Sequence, residues 1–209
     1  MNKTFIFYIL CFLLLLTPPN HPHSSQEHIA SEILRLHVIA NSDVREDQSI
    51  KLKVKDQVVL VLRKKLNGID NKEDAKKVIF ENLTLVEEIA RTVMVSEGYD
   101  YAAKASLGFC DFPIKQYGDL SFPAGRYEAL RIQLGKGEGK NWWCVMFPSL
   151  CYVDETYDII TEKNKEQFRD ILTEEEYNSL LSTENPPIFY KSKAKLLLDK
   201  LIDYFSVKG

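Results

Sequence analysis

The sequence predicts an α+β fold: an antiparallel or mixed sheet of about four strands, with helices packed on one face and a helical C-terminal extension. Three observations carry it. Residues 127–134 alternate Glu128, Arg131 and Gln133 with Leu130, Ile132 and Leu134, the period of a strand with one wet face. Gly135, Gly137 and Gly139 then offer the positive backbone angles of a tight reversal, and residues 141–147 return as an almost wholly apolar strand. Ahead of this hairpin, two long stretches carry apolar residues at helical spacing.

The elements follow in chain order. Residues 33–40 read as a strand with Arg35 and His37 on one side and Leu34, Leu36 and Val38 on the other. Asn41, Ser42 and Asp43 stop it and cap a helix over 44–66. That helix carries Ile50, Val54, Val58, Val61 and Leu62 along one face. Asp43, Glu46 and Asp47 at its start and Arg63, Lys64 and Lys65 at its finish suit the helix dipole, and Gly68 closes it. Asp70 or Asn71 caps a second helical stretch that runs to about Glu97. Residues 101–109 form a strand, 113–123 a loop, and the hairpin follows. After Asp154 the chain turns helical over 166–172, and Thr173 with Glu176 makes a capping box for a short helix through Leu181. Pro186 and Pro187 stop that helix, residues 188–193 add an extended piece, and a last helix carries Leu196, Leu197, Leu201, Ile202 and Phe205.

At 209 residues the chain is long enough to bury a core, and 45% hydrophobic with 27% charged residues is globular usage. A net charge of -3 and a pI near 5.9 exclude the concentrated basic charge of a nucleic-acid binder. The amino terminus is different: Lys3 precedes an uncharged run over residues 5–16, followed by prolines. That run is shorter than the ~20 residues of a spanning helix and suits a signal peptide, or an anchor retained in the membrane. The expected organisation is therefore a signal or anchor at 1–17, a linker at 18–30, a core domain at 31–155 and the helical extension at 156–209.

Several constellations could carry chemistry. Gly135 to Lys140 superficially resembles a phosphate loop, but it is a residue short of G-x-x-x-x-G-K and enters a strand rather than a helix. His21, His23 and His28 could collect a metal ion, but a flexible segment seldom holds one tightly, so no metal and no cofactor is expected. Asn82-Leu83-Thr84 is a glycosylation sequon in mid-helix. A thiol hydrolase could be assembled from Cys144 or Cys151 with His37 and an orienting Asn41 or Asp43, though no supporting motif is present. With an exported chain, Cys144 and Cys151 could instead form a disulfide across Pro148 and leave Cys110 free; three buried thiols are the equal alternative. Asn41, Ser42, Asp43, Asp47 and Gln48 read as a helix cap, a cation site or a partner contact. Trp142 and Trp143 point to opposite faces of their strand, one structural and the other beneath helices or exposed as an interface anchor.

Residues 34–59 (LRLHVIANSDVREDQSIKLKVKDQVV), 112–118 (FPIKQYG) and 122–154 (FPAGRYEALRIQLGKGEGKNWWCVMFPSLCYVD) resemble the stage II sporulation protein R family of endospore-forming Firmicutes. Residues 193–201 match more loosely, and 156–187 carry little of the pattern. The resemblance implies a signal rather than an enzyme. Such a protein is made in the forespore, exported into the intermembrane space, and activates a membrane-embedded aspartic protease of the mother cell, which then processes the precursor of sigma factor E. No catalytic residues carry over. The candidate partner-binding residues are Asn41, Asp43, Asp47, Lys140, Asn141, Trp142 and Trp143, polar or aromatic groups at an element junction and a hairpin turn.

Overall fold

The structure is a computed structural model and describes residues 22–151 and 160–181. Four strands form its main sheet: β1 (Leu34–Ile39), β2 (Ala103–Phe112), β5 (Gly125–Leu134) and β6 (Asn141–Phe147), in the order β2-β5-β1-β6. β1 runs parallel to β5, while β2 and β6 are antiparallel to their neighbours, so the sheet is mixed. The α+β class stands. Between β2 and β5 the chain forms a small hairpin, β3 (Lys115–Tyr117) and β4 (Leu120–Phe122), where the sequence predicts a loop. Gly118, at φ 51, makes its turn.

Leu34, Leu36 and Val38 of β1, with Leu130, Ile132 and Leu134 of β5, form one face. On it lie α2 (Arg45–Lys65), α3 (Lys72–Glu81) and α4 (Leu83–Ser96), contributing Ile50, Val54, Val58, Ile79, Val86 and Met94 to a continuous apolar cluster. The predicted single helix over 71–97 is therefore two. Asn71 caps α3 as expected, its Oδ1 accepting from Asp74 N at 2.9 Å. At Asn82 the side chain donates to Val78 O at 2.7 Å, and this local bond marks the break before α4.

The opposite face is covered too, which corrects the expectation of helices on one face alone. Across it lie α1 (Pro22–Glu32), the β3-β4 hairpin, α5 (Glu162–Ile171) and α6 (Glu174–Leu180). Ile29, Ile33, Phe112, Phe122, Tyr127, Val145, Phe168 and Leu180 make its core. Every residue of β1 is consequently buried. Residues 22–30, expected as linker, belong instead to α1, which Lys72 ties down by donating to Ser31 O at 2.7 Å while reaching Glu128 at 3.4 Å. The capping box is present: Glu176 N donates to Thr173 Oγ1, and Thr173 N donates to Glu176 Oε2. The predicted signal at 1–17, the extended piece at 188–193 and the last helix lie outside the described residues.

Candidate functional site

The end of the sheet where β1 and β5 finish and β6 and β2 begin gathers the predicted partner residues into one pole. Its geometry is a loop pinned to a turn. Asn41 Nδ2 donates to Asp47 Oδ2 at 2.8 Å, Ser42 Oγ donates to the same oxygen at 2.6 Å, and Tyr101 OH donates to Asp47 Oδ1 at 3.0 Å. Burial of Asp47 works to raise its pKa, but these donors outweigh it and hold the carboxyl below the ordinary range. Burial and the bond to Asp47 push the Tyr101 phenol upward. The expected cap is thus inverted. The residue before α2 is Val44, without a side-chain cap, and the side chains of Asn41 and Ser42 donate inward to the first turn instead.

The 135–140 turn closes against this loop. Lys136 N donates to Asn41 Oδ1 at 3.0 Å, Glu138 N to Asn41 O at 3.2 Å, and Lys140 N to Asp43 Oδ1 at 2.7 Å. Lys51 Nζ donates to Lys140 O at 3.2 Å and to Gln48 Oε1 at 2.7 Å. Gly135 and Gly137 do take positive φ, 53° and 67°, as the sequence suggests. Gly139 does not share that conformation; a Cβ there would strike the backbone of Ser42.

Of the seven candidate contacts, Asp47 is buried and both ends of the Asn41 amide are engaged, so these two act as internal braces. Asp43, Lys140 and Asn141 are exposed. Trp142 lies on the first face, with the Lys55 ammonium of α2 4.3 Å from its ring centroid. Trp143 lies on the other face, stacked on His37 at 3.8 Å between centroids and edge-on to Phe112. Both are half-buried.

The second face also holds two polar groups that the strand alternation alone does not explain. His37 Nε2 pairs with Asn141 Oδ1 at 2.7 Å. Burial lowers its pKa, the bond to Asn141 acts against this, and nearby Arg131 lowers it further, so the ring is neutral. Arg35 is 0% exposed and lies over three aromatic rings, with centroids 4.3 Å away at Phe112, 4.8 Å at Tyr127 and 5.8 Å at Phe122. Its Nη2 donates to Tyr117 OH at 3.4 Å.

Cys144 and Cys151 form a disulfide, with Cα atoms 5.2 Å apart, across the cis Phe147-Pro148 peptide. Cys110 is a free thiol, its pKa raised by burial. The fold thus pairs these two sulfurs and leaves Cys110 apart. It also separates the pieces of the proposed thiol centre: Cys144 sits opposite Leu36 on the first face, whereas His37 projects to the second. A groove between α4 and the start of β2 is lined by Glu87, Glu88, Arg91, Tyr99 and Tyr101, with no histidine or cysteine. Among the described residues no group of His, Cys, Asp or Glu could hold a metal, and no helix is long and apolar enough to cross a membrane.

Fold and site together define a disulfide-closed mixed-sheet domain covered on both faces, built around braced polar contacts. Residues 30–157 match the family model described as stage II sporulation protein R. The chain is 37% identical over 163 residues to the stage II sporulation protein R of Bacillus subtilis (strain 168), covering 74% of this chain and 73% of that one. The chain belongs to the stage II sporulation protein R family. No solved structure matches it.

Proposed function

We propose that the chain is an exported, non-enzymatic signal of endospore formation. It passes from the forespore into the intermembrane space, where it binds the outward-facing part of a membrane-embedded aspartic protease of the mother cell. Binding favours the protease's competent form and leads to processing of the sigma factor E precursor. The observation that carries this reading is membership of the sporulation family, whose model matches residues 30–157 and so all four strands of the main sheet. A disulfide fits an oxidising space outside the cytoplasm, and its two sulfurs are withheld from a nucleophile's role. Asp43, Lys140 and Asn141, exposed on the braced pole, give a rigid candidate contact. Residues 5–16 supply the export signal or a membrane attachment.

The energetic requirement is small. A partner that prefers the competent form by ~3 kcal/mol shifts the balance about a hundredfold. The test is reconstitution of the purified protein with the protease and its precursor substrate in one membrane. Processing should depend on this protein and persist in the Cys144→Ala/Cys151→Ala variant at concentrations that compensate for lost stability. Absence of processing with the intact protein would overturn the reading.

A further inference from the structure

The two borders of the main sheet are finished differently. In an antiparallel ladder, successive residues alternate between bonding the neighbour and pointing their backbone groups away. On β6 two outward carbonyls are occupied: Trp143 O accepts from Tyr117 OH at 3.2 Å, and Val145 O accepts from Leu150 N at 2.9 Å as the disulfide-closed turn folds back. On β2, Ala105 N donates to Glu87 Oε1 at 2.8 Å, which identifies the odd-numbered residues as outward-pointing. The register with β5 continues unbroken to Phe112. Leu107, Phe109 and Asp111 therefore present their backbone groups outward, and no strand pairs with that side among the described residues.

This open stretch has a chemical character. Phe109 is 62% exposed, Gly108 has open space where a side chain would stand, and the Arg126 guanidinium lies 5.4 Å from the Phe109 ring centroid. Lys104, Arg126 and Arg131 are exposed along β2 and the adjoining β5, and make no ion pair among the described residues. Asp111 is the exposed acid on this stretch of β2. An unpaired edge, an apolar anchor and a basic border suit one kind of occupant.

We infer that the β2 edge from Leu107 to Asp111 takes up an extended, acidic segment of the partner protein as an added strand. This rests on the reading above, in which that partner is the outward-facing part of the membrane protease. The added strand would bond the backbone of Leu107, Phe109 and Asp111, seat an apolar side chain beside Phe109, and place carboxylates near Lys104, Arg126 and Arg131.

The experiment combines amide hydrogen exchange of the full chain, free and mixed with the reconstituted protease, with precursor processing. Slowed exchange at Leu107, Phe109 and Asp111 on mixing, against little change at Ser106, Gly108 and Cys110, which already face β5, supports the inference. Phe109→Pro removes an outward N–H without touching a β2-β5 bond, and Lys104→Glu/Arg126→Glu/Arg131→Glu reverses the border. Each should raise the half-maximal activating concentration about tenfold or more while circular dichroism stays that of the intact fold. Unchanged activation by both folded variants, or protection confined to the Asn41–Lys140 pole, overturns the edge assignment and leaves the activator reading standing. An intact protein that neither activates nor gains protection overturns both. A wild-type dimer that Phe109→Pro converts to monomer assigns the edge to a second copy, and overturns the inference.

Discussion

The two faces of the sheet are buried by different chemistries. The first is dry: leucine, valine and isoleucine of β1 and β5 meet the apolar stripes of α2, α3 and α4. The second encloses a guanidinium and an imidazole, held by aromatic rings rather than by carboxylates. The lesson is that polar alternation on a strand announces a second layer as readily as a wet surface. Arg35 and His37 are shielded because aromatic side chains from the β3-β4 hairpin, β2, β5 and β6 offer π faces and edges to them.

Four measurements test this contrast. The largest effect belongs to the dry face: Leu36→Ala should cost about 3 kcal/mol in urea unfolding, since a fully buried leucine leaves a cavity among residues with little freedom to close it. Replacing both Cys144 and Cys151 by serine should cost about 2 kcal/mol, from the seven-residue separation that the bond closes, and a much smaller loss would mean that the turn holds itself. On the second face Arg35→Lys should destabilise by about 1–2 kcal/mol, because an ammonium cannot stack as a plane. Arg35→Met should stay within about 1 kcal/mol of the parent, since the burial cost of the charge disappears with it. Equal losses for Lys and Met would show that packing volume, not the guanidinium, is what the rings hold.

The smallest effect is a pH dependence. His37 has a depressed pKa when folded, so the unfolded chain binds its proton first as acid is added. Its contribution to stability is full above the ordinary value of 6.5 and drains as pH falls from there toward the folded value. Asp47, also depressed, acts lower, losing its contribution as pH falls below 3.8. Thermal unfolding in mildly acidic buffers should therefore show a decline that His37→Phe removes, with a second decline in stronger acid that it leaves in place. A single acid step unaffected by the substitution would contradict the buried neutral ring.

Much of this was legible. Period-two alternation located β1 and β5, an apolar run after the glycine turn located β6, and the helical stripes located α2 and the residues of α3 and α4. The second face wrote a poorer one. Its cover is assembled from short pieces far apart in sequence, and the hairpin at 115–122 has strands of three residues each, too short for alternation to register. The signal that could have found it was Gly118 between two short runs with aromatic residues. For the candidate site, nearness of the 41–47 loop to the 135–140 turn was not derivable from either segment alone, although both were singled out. Asp47 looked like a surface acid answering a helix dipole; its role as the hub of three side-chain donors depended on Tyr101, which lies 54 positions away. The lack of a strand partner along β2 among the described residues was similarly hidden, since strand order decides which strands lie at an edge.

The close approach at Gly139 carries a consequence for how this pole tolerates change. Gly135 and Gly137 take positive backbone angles, and a Cβ at either would meet only a side chain, that of Asn41 or Gln133. Gly139 serves through absence of volume, packed against Ser42 and Ala40. In a library randomised across the turn, the first two positions would select for backbone angle and for a neighbouring side chain that can swing aside, whereas at the third the obstacle is backbone: even alanine at Gly139 would have to push the two segments apart and unfasten the loop that Asp47 holds shut.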